Sequence, residues 1–199
     1  MINIIGITGP SGAGKSLISD YLAKKNIPVI DADEVYHSLL TKGSPCTSAL
    51  ADEFGSEIIA PDGTPDRKKL GVIVFSSKEK LERLNSIVLS FVIDKINEMI
   101  SVLEAKGEKN VVLDAPTLIE SGFSSQCDYV VSILASKSER ISRICSRDGI
   151  TEKSAALRVD AQKDDSFYIA NSHYILYNDS DTEDLHKKAD TLFEKIIAK

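Results

Sequence analysis

The chain has 199 residues, a formal net charge of −6 and a pI near 5.2, with 30 acidic and 24 basic side chains. This length is enough for one domain with a buried core. The acidic balance excludes a protein whose main role is to neutralise nucleic-acid phosphates, so we expect no nucleic-acid partner.

Cysteine spacing and hydropathy exclude two further classes. Cys46, Cys127 and Cys145 are far apart and lack Cys-x-x-Cys spacing, so we expect neither a disulfide framework nor a zinc site. No apolar run approaches the roughly 20 residues that span a bilayer. The apolar residues 1–8 lead into a glycine loop, which favours a first strand over a leader peptide. We expect a cytoplasmic protein without a membrane partner, and its oligomeric state is left open.

Five short apolar runs, rich in β-branched or aromatic residues, predict buried strands at residues 4–8, 28–31, 111–114, 129–134 and 174–177. Helical patterns separate these runs, and the alternation favours a parallel sheet wrapped by helices. Glycines and prolines divide residues 42–67 into short pieces that we interpret as an excursion over the sheet. Ser76, Ser136 and Ser180 each precede a glutamate by three residues, which predicts capping boxes at three helix starts.

Residues 9–16 carry the pattern Gly-x-x-x-x-Gly-Lys-Ser between the first strand and an amphipathic helix. In a phosphate loop the glycines let backbone N–H groups surround phosphate, and the helix N-terminus adds a partial positive charge. Lys15 would then neutralise the β- and γ-phosphate oxygens of ATP, and the Ser16 hydroxyl would bind Mg²⁺. The alternative is a glycine-rich turn that binds nothing.

Aspartates follow two of the predicted strands. Asp31 and Asp33 come after the second strand, so their carboxylates should emerge at the carboxyl edge of the sheet, where the phosphate loop lies. Asp33 is our candidate for the base that accepts the proton of an acceptor hydroxyl, while Asp31 caps the next helix. Both could instead be caps. Asp114 ends the third strand and is predicted either to lie near the metal or to cap a helix.

Arginines supply the candidate phosphate clamps. Arg140, Arg143 and Arg147 are spaced so that one helical face would carry three guanidinium groups suited to a triphosphate. The alternative is a solvated face that pairs with neighbouring carboxylates. Arg67 could bind an anionic substrate or simply begin a helix.

The chain resembles the dephospho-coenzyme A kinase family through motifs that recur in order along nearly its whole length. After the phosphate loop come residues 27–33, then Phe54-Gly55, Asp62-Gly63, Asp66-Arg67-x-x-Leu70, Val74-Phe75 and Leu84-Asn85. Later motifs are residues 112–120, Arg143-x-x-x-Arg147-Asp148-Gly149, Ala161-Gln162 and Ile175-x-x-Asn178.

The resemblance implies a P-loop NTPase three-layer α/β fold with a parallel five-stranded sheet. It implies a single domain over residues 1–199, with a helical acceptor-binding region over about residues 42–106 and a lid over about residues 137–165. The implied reaction transfers a phosphate from Mg-ATP to the 3′-hydroxyl of dephospho-coenzyme A, which yields coenzyme A and ADP.

Site roles also follow from the resemblance. The implied catalytic residues are Asp33, Lys15 and Arg147, and Ser16 is the implied metal ligand. The implied ATP-binding residues, with Asn178 near the adenine, are Gly12, Ala13, Gly14, Lys15, Ser16, Leu17, Arg143, Arg147 and Asn178. The implied acceptor-binding residues are Asp33, Arg67 and Glu120.

The chain departs from the family's pattern at several positions. Leu89-Ser90 replaces the usual His-Pro, so any acceptor contact made by that histidine is missing. Pro-Thr-Leu-Ile-Glu at residues 116–120 replaces Pro-Leu-Leu-Phe-Glu, and Pro10 and Leu17 stand where glycine and threonine are common. These changes bear on the identity of the acceptor more than on ATP binding.

Two other functions remain open. The first is a kinase for a nucleoside, a nucleotide or another small alcohol, since a fold and a phosphate loop do not fix the acceptor. The second is a nucleotide-dependent switch. A switch needs neither an acceptor base such as Asp33 nor the arginine pair Arg143 and Arg147, and the chain lacks the guanine-selecting Asn-Lys-x-Asp motif.

Overall fold

The computed structural model describes residues 1–197. Its strands are β1 (Asn3–Thr8), β2 (Val29–Asp31), β3 (Asn110–Asp114), β4 (Tyr129–Leu134) and β5 (Tyr174–Tyr177). Its helices are α1 (Lys15–Lys24), α2 (Ala32–Leu39), α3 (Pro45–Phe54), α4 (Arg67–Val74), α5 (Lys78–Ala105), α6 (Lys137–Asp148), α7 (Glu152–Asp160), α8 (Asp165–Ala170) and α9 (Thr182–Ile197). Each predicted strand is present, and the first three differ from the prediction by one residue at the amino end.

The strands form one five-stranded sheet in the order β2-β3-β1-β4-β5. The central strand β1 pairs in parallel with β3 and β4, and Ile5 lies opposite Val112 and Tyr129. A strand with neighbours on both sides and helices on its faces needs apolar side chains throughout, which explains the continuous apolar runs. The predicted α/β fold with a parallel five-stranded sheet is confirmed.

The described residues form two compact units. The first comprises Met1–Ile30 together with the described residues from Leu103 onward, and the second is Asp31–Val102. The second unit begins earlier than the predicted helical region at residues 42–106, because α2 belongs to it.

Each unit has its own apolar core. In the first, side chains of α1 and α9 pack on the sheet, and buried members include Ile5, Ile18, Val131 and Phe193. In the second, α3, α4 and neighbouring residues enclose the buried residues Cys46, Leu50, Phe54, Ile58, Leu70 and Val74. Both cores therefore stabilise their units through burial of apolar surface.

Only one of the three predicted capping boxes coincides with an observed serine cap, and only its serine half forms, because the Ser136 N–H donates to Asp179 rather than to Glu139. Ser136 caps α6, since its Oγ accepts a hydrogen bond from the Glu139 N–H. The other two are wrong. The Ser76 hydroxyl donates to a carbonyl of the preceding helix, and Asp181 rather than Ser180 accepts the N–H in the first turn of α9.

Within residues 1–197, no helix combines the length and the apolar character required to cross a bilayer.

Candidate active site

The phosphate loop, residues 9–16, joins β1 to α1 and depends on glycine at two close approaches. Gly12 has φ = 79°, and a Cβ there would lie 2.6 Å from the carbonyl oxygen of Arg140. Gly14 has φ = 97°, and a Cβ there would lie 2.3 Å from Nδ2 of Asn178. Because L side chains rarely adopt these φ values and have no room here, the loop is restricted to glycine at both positions.

Every carbonyl oxygen from residue 9 to residue 14 accepts a hydrogen bond from within the first unit. The pairs are Gly9 O with Lys15 Nζ (3.0 Å), Pro10 O with Ala13 N (3.2 Å), Ser11 O with Arg140 Nε (3.1 Å), Gly12 O with Arg143 Nη1 (3.4 Å), Ala13 O with Asn178 Nδ2 (2.8 Å) and Gly14 O with Leu17 N (3.2 Å). The N–H groups of Ser11 and Ala13 also donate within the protein, to Gln162 Oε1 and to the Pro10 carbonyl. A loop whose carbonyls are held in this way can direct its other N–H groups to the opposite side, where they can surround an anion. The N-terminus of α1 adds a partial positive charge.

The three arginines of α6 differ in burial and in their hydrogen-bond partners. Arg140 is only 5% exposed, and its guanidinium is engaged with the Ser11 carbonyl and with the side chain of Gln162. Burial lowers the pKa of Arg140. The predicted row of three phosphate clamps is therefore wrong for Arg140, because its N–H donors bind the Ser11 carbonyl and the Gln162 side chain.

Arg143 and Arg147 are more accessible. Arg143 donates to the carbonyl of Asn178 at 2.9 Å and pairs with Glu139 at 3.3 Å. Arg147 is exposed and pairs with Asp148 at 2.7 Å, and this hydrogen bond raises the pKa of Arg147. Both pairings match the alternative of a helical face paired with carboxylates, so a contact of either arginine with ATP stays a prediction.

Asn178 follows β5 directly and is 2% exposed. Its backbone N–H donates to Leu134, and its side-chain amide donates to Ala13 in the phosphate loop, both at 2.8 Å. The observed role of this side chain is to hold the loop, and the contact with adenine stays a prediction. Leu17, in the first turn of α1, is 43% exposed.

Two oxygen-bearing side chains of the first unit suit a magnesium ion. Ser16 presents an exposed hydroxyl in the first turn of α1, and the buried carboxylate of Asp114 accepts a hydrogen bond from Ser19 at 2.5 Å. No group of three or more His, Cys, Asp or Glu side chains able to hold a metal occurs among residues 1–197. Mg²⁺ commonly uses one or two protein oxygens together with water and phosphate, so this donor set fits it.

A cavity of about 470 Å³ lies beside the phosphate loop within the first unit. Ser11 and Lys15 line it, together with Glu120, Gln162 and Lys163. The cavity therefore brings two predicted site residues, Lys15 and Glu120, to one place.

Tyr168 also lines this cavity and donates a hydrogen bond to Glu120 at 3.5 Å. Burial and the nearby Glu120 raise the pKa of Tyr168 to about 12. Sequence reasoning assigned no role to Tyr168, Lys163 or Gln162, although the Ala161-Gln162 motif drew attention to that segment.

The second unit contains the other predicted site residues. Asp31 caps α2, since its Oδ1 accepts the N–H groups of Asp33 at 2.8 Å and Glu34 at 3.1 Å. Asp33 is exposed in the first turn of that helix, and His37 follows one turn later. The Arg67 guanidinium lies 3.1 Å from Nδ1 of His37, which places Arg67 beside the helix that carries Asp33.

Leu89 and Ser90, the residues in place of the family's usual His-Pro, lie within α5. Leu89 is partly buried and Ser90 is exposed. Neither side chain can supply the imidazole that the usual pattern would place there.

Comparison with solved structures agrees with this architecture. The structure of TT1252 from Thermus thermophilus superposes with a TM-score of 0.81 at 27% identity, covering 98% of this chain and 97% of the other. A dephospho-CoA kinase from Campylobacter jejuni shares the fold with a TM-score of 0.73 at 24% identity, covering 100% of this chain and 98% of the other.

Comparison of sequences gives the family. The sequence model described as CoaE, dephospho-CoA kinase, matches residues 3–184. The dephospho-CoA kinase of Lactobacillus johnsonii is 36% identical over 196 residues, which cover 98% of this chain and 99% of the relative. Since the match extends over almost the whole chain and includes the phosphate loop described above, the chain belongs to the dephospho-CoA kinase family.

Proposed function

We propose that the chain transfers the terminal phosphate of ATP to the 3′-hydroxyl of dephospho-coenzyme A, forming coenzyme A and ADP in the last step of coenzyme A synthesis. The observation that carries the proposal is the phosphate loop of a dephospho-CoA kinase family member, held through six carbonyls and open to a cavity that contains Lys15. Phosphoryl transfer mainly requires positioning and charge stabilisation, and this arrangement can supply both.

In this mechanism, the loop N–H groups and the N-terminus of α1 bind the phosphates of ATP, with Gly12, Ala13, Gly14 and Leu17 forming that end of the site. Lys15 neutralises the β- and γ-phosphate oxygens. Its ammonium group already lies at the Gly9 carbonyl, 3.0 Å away, at the edge of the cavity.

Asp33 is the proposed base, which accepts the proton of the acceptor hydroxyl as transfer proceeds. This role is supported by its exposure and by the fact that Asp31, rather than Asp33, accepts the capping hydrogen bonds of α2. Arg67 is proposed to bind an anionic group of the acceptor, and Glu120 to accept hydrogen bonds from it.

Arg147, assisted by Arg143, is proposed to offset the charge that develops on the transferred phosphate. This requires Arg147 to exchange its partner Asp148 for phosphate, which exposed ion pairs do at little cost. Asn178 is proposed to lie near the adenine while it holds the loop.

Magnesium is the proposed metal, with Ser16 as its protein ligand and Asp114, at the end of β3 beside β1, as a further carboxylate that could hold it through water. When bound, Mg²⁺ would neutralise phosphate charge during transfer. The proposed compartment is the cytoplasm, because all three cysteines are free thiols.

The test is ADP release from Mg-ATP with dephospho-coenzyme A, with the acceptor analysed by mass for one added phosphate. Adenosine, nucleoside monophosphates and a reaction without acceptor serve as comparisons. We expect ADP release that depends on dephospho-coenzyme A and matches the phosphorylated product. Transfer only to another acceptor would leave a kinase with a different substrate, and nucleotide binding without transfer would reject the kinase assignment.

A further inference from the structure

Gln162, in the connection between α7 and α8, makes an unusual set of contacts with the phosphate loop. Its Oε1 accepts the backbone N–H of Ser11 at 3.1 Å, and its Nε2 donates to the Ser11 hydroxyl at 3.2 Å. The same Oε1 accepts a hydrogen bond from Nη2 of Arg140 at 2.8 Å. The backbone N–H and the side-chain hydroxyl of Ser11 are thus both bound by a residue 151 positions away in sequence.

Arg140 completes the arrangement. Its Nε donates to the Ser11 carbonyl at 3.1 Å, so the N–H, the carbonyl and the hydroxyl of Ser11 all bond to Gln162 or Arg140. Arg140 is 5% exposed, and its backbone lies against Gly12. A buried guanidinium in fixed contact with the loop gives Gln162 a rigid support.

The contacts use both the oxygen and the nitrogen of the Gln162 amide. Gln162 accepts two hydrogen bonds through its oxygen and donates one through its nitrogen to the Ser11 hydroxyl. An ionised glutamate could accept all three hydrogen bonds, since the hydroxyl can also donate, but it would add a negative charge beside a loop that binds phosphate. An apolar side chain of similar length could fill the space but would leave Ser11 and Arg140 without these partners. The contacts are therefore polar and directional, and a packing contact could not replace them.

The position of Ser11 in the loop indicates which phosphate of ATP these contacts would affect. In phosphate loops, the backbone N–H groups near the helix cradle the inner phosphates, and the lysine reaches the β- and γ-phosphates. Ser11 lies at the strand end of the loop and lines the same cavity as Lys15 and Gln162. A displacement of Ser11 would therefore change the surroundings of the terminal phosphate more than those of the inner phosphates.

We infer that Gln162 is a positioning residue that acts through Ser11 and Arg140 to shape the loop for the terminal phosphate of ATP. It sets the preference of the site for ATP over ADP and the rate of transfer, and it leaves recognition of the diphosphate to residues 12–16. The inference rests on the proposed use of ATP and does not depend on the identity of the acceptor.

The experiment compares Gln162→Met with the wild-type chain. Methionine keeps the length of the side chain and removes its hydrogen bonds. Calorimetry gives Kd for ADP and for a non-hydrolysable ATP analogue, each with Mg²⁺. We expect the affinity for the ATP analogue to fall about tenfold, in line with the loss of hydrogen bonds to the loop, while Kd for ADP changes less than about twofold. With saturating ATP and acceptor, kcat should fall by about tenfold or more.

Gln126→Met is the matched control, because Gln126 is the exposed last residue of a short 3₁₀ turn, outside the cavity. This variant should leave both affinities and kcat unchanged. Equal weakening of ADP and of the ATP analogue by Gln162→Met would indicate a merely structural role and overturn the inference, as would wild-type values for both. The binding measurements contain no acceptor, so they test Gln162 even if dephospho-coenzyme A proves to be the wrong substrate.

Discussion

Asp31 and Asp33 are two residues apart but have different environments. Asp31 accepts two backbone N–H groups of α2, while Asp33 is exposed in the first turn of the same helix. Replacing Asp33 with asparagine should lower kcat about a hundredfold to ten-thousandfold, because it removes the proposed general base. KM for ATP should change little, and steady-state kinetics at saturating acceptor would measure both constants.

Asp31→Asn is the matched control. Asparagine caps helices about as well as aspartate, so this variant should keep its stability and most of its turnover. Normal turnover in Asp33→Asn would remove Asp33 from the catalytic role. An equal loss in both variants would show that the segment tolerates no change of charge, whichever residue carries it.

The three cysteines are expected to differ in reactivity, because burial raises the thiol pKa of two of them. Burial, with a smaller contribution from Asp128, raises the pKa of Cys127 to about 12, and burial also raises the pKa of Cys46. The thiolate is the reactive form, and it would be about one part in ten thousand of Cys127 at a pH near 8. We expect Cys145, which is only partly buried and lines a cavity of about 920 Å³, to react first with a thiol reagent in the native protein.

Absorbance on addition of a disulfide reagent would measure this, with Cys145→Ser as the comparison. The rapid phase should disappear in that variant, and all remaining thiols should react quickly in denaturant. A rapid phase that survives in Cys145→Ser would show that Cys46 or Cys127 opens to solvent more readily than its burial indicates.

Sequence reasoning identified the chemical type of the site residues better than their partners. The spacing of Arg140, Arg143 and Arg147 correctly placed them on one helix, α6. It could not show that Arg140 is held by Ser11, 129 positions away, because contacts of that range arise only when the sheet brings β1 and β4 together. The role of Gln162 was out of reach for the same reason.

Among the elements, the phosphate loop gives a direct test of why glycine is needed. Gly12 and Gly122 have nearly the same positive φ, 79° and 77°. A Cβ at position 12 would lie 2.6 Å from a backbone carbonyl oxygen, whereas nothing lies within 4 Å of a Cβ at position 122. Gly122→Ala should therefore lower the free energy of unfolding by about 1–3 kcal/mol, the cost of placing alanine in the left-handed region.

Gly12→Ala should cost more, because α6 must also move away from the loop, and it should abolish ADP binding. Urea denaturation and calorimetry would measure the two effects. Equal destabilisation by Gly12→Ala and Gly122→Ala would mean that the loop can move away from Arg140 without a further loss of stability. That result would contradict the close contact between Gly12 and Arg140.

The strands were predictable because each carries its own signal. Burial on both faces of a parallel sheet demands apolar residues throughout, so the five runs were visible without knowledge of the neighbours. Helix starts were less predictable, because several polar residues compete for the cap. At α9, Asp181 accepts the first-turn N–H, while the Ser180 hydroxyl bonds instead to Asp184.

At the scale of the whole molecule, the chain divides into two compact units whose boundary the sequence did not reveal. The glycines and prolines that divide residues 42–67 begin at Gly43, but the second unit begins at Asp31, the last residue of β2. No composition change marks that point, because α2 has the amphipathic pattern of any helix between two strands. The unit is defined by its own core around Leu50 and Phe54, which is a property of tertiary packing.

Two separate cores predict that damage to one unit can be separated from the function of the other. Leu50 and Leu185 are both fully buried, in the second and the first unit respectively. Either leucine-to-alanine change should cost about 2–5 kcal/mol of unfolding free energy. In Leu50→Ala, hydrogen exchange should accelerate mainly within residues 31–102, whereas in Leu185→Ala it should accelerate mainly in the first unit.

Leu50→Ala should also change ADP binding and turnover to different extents. The phosphate loop lies wholly in the first unit, so Kd for ADP should remain near the wild-type value, whereas turnover should fall, since Asp33 and Arg67 belong to the weakened second unit. Calorimetry with ADP and the acceptor-dependent ADP release assay would measure these quantities on the same preparation. Weakening of ADP binding as large as the loss of turnover would mean that the two cores unfold as one, because only then does a cavity at Leu50 reach the phosphate loop.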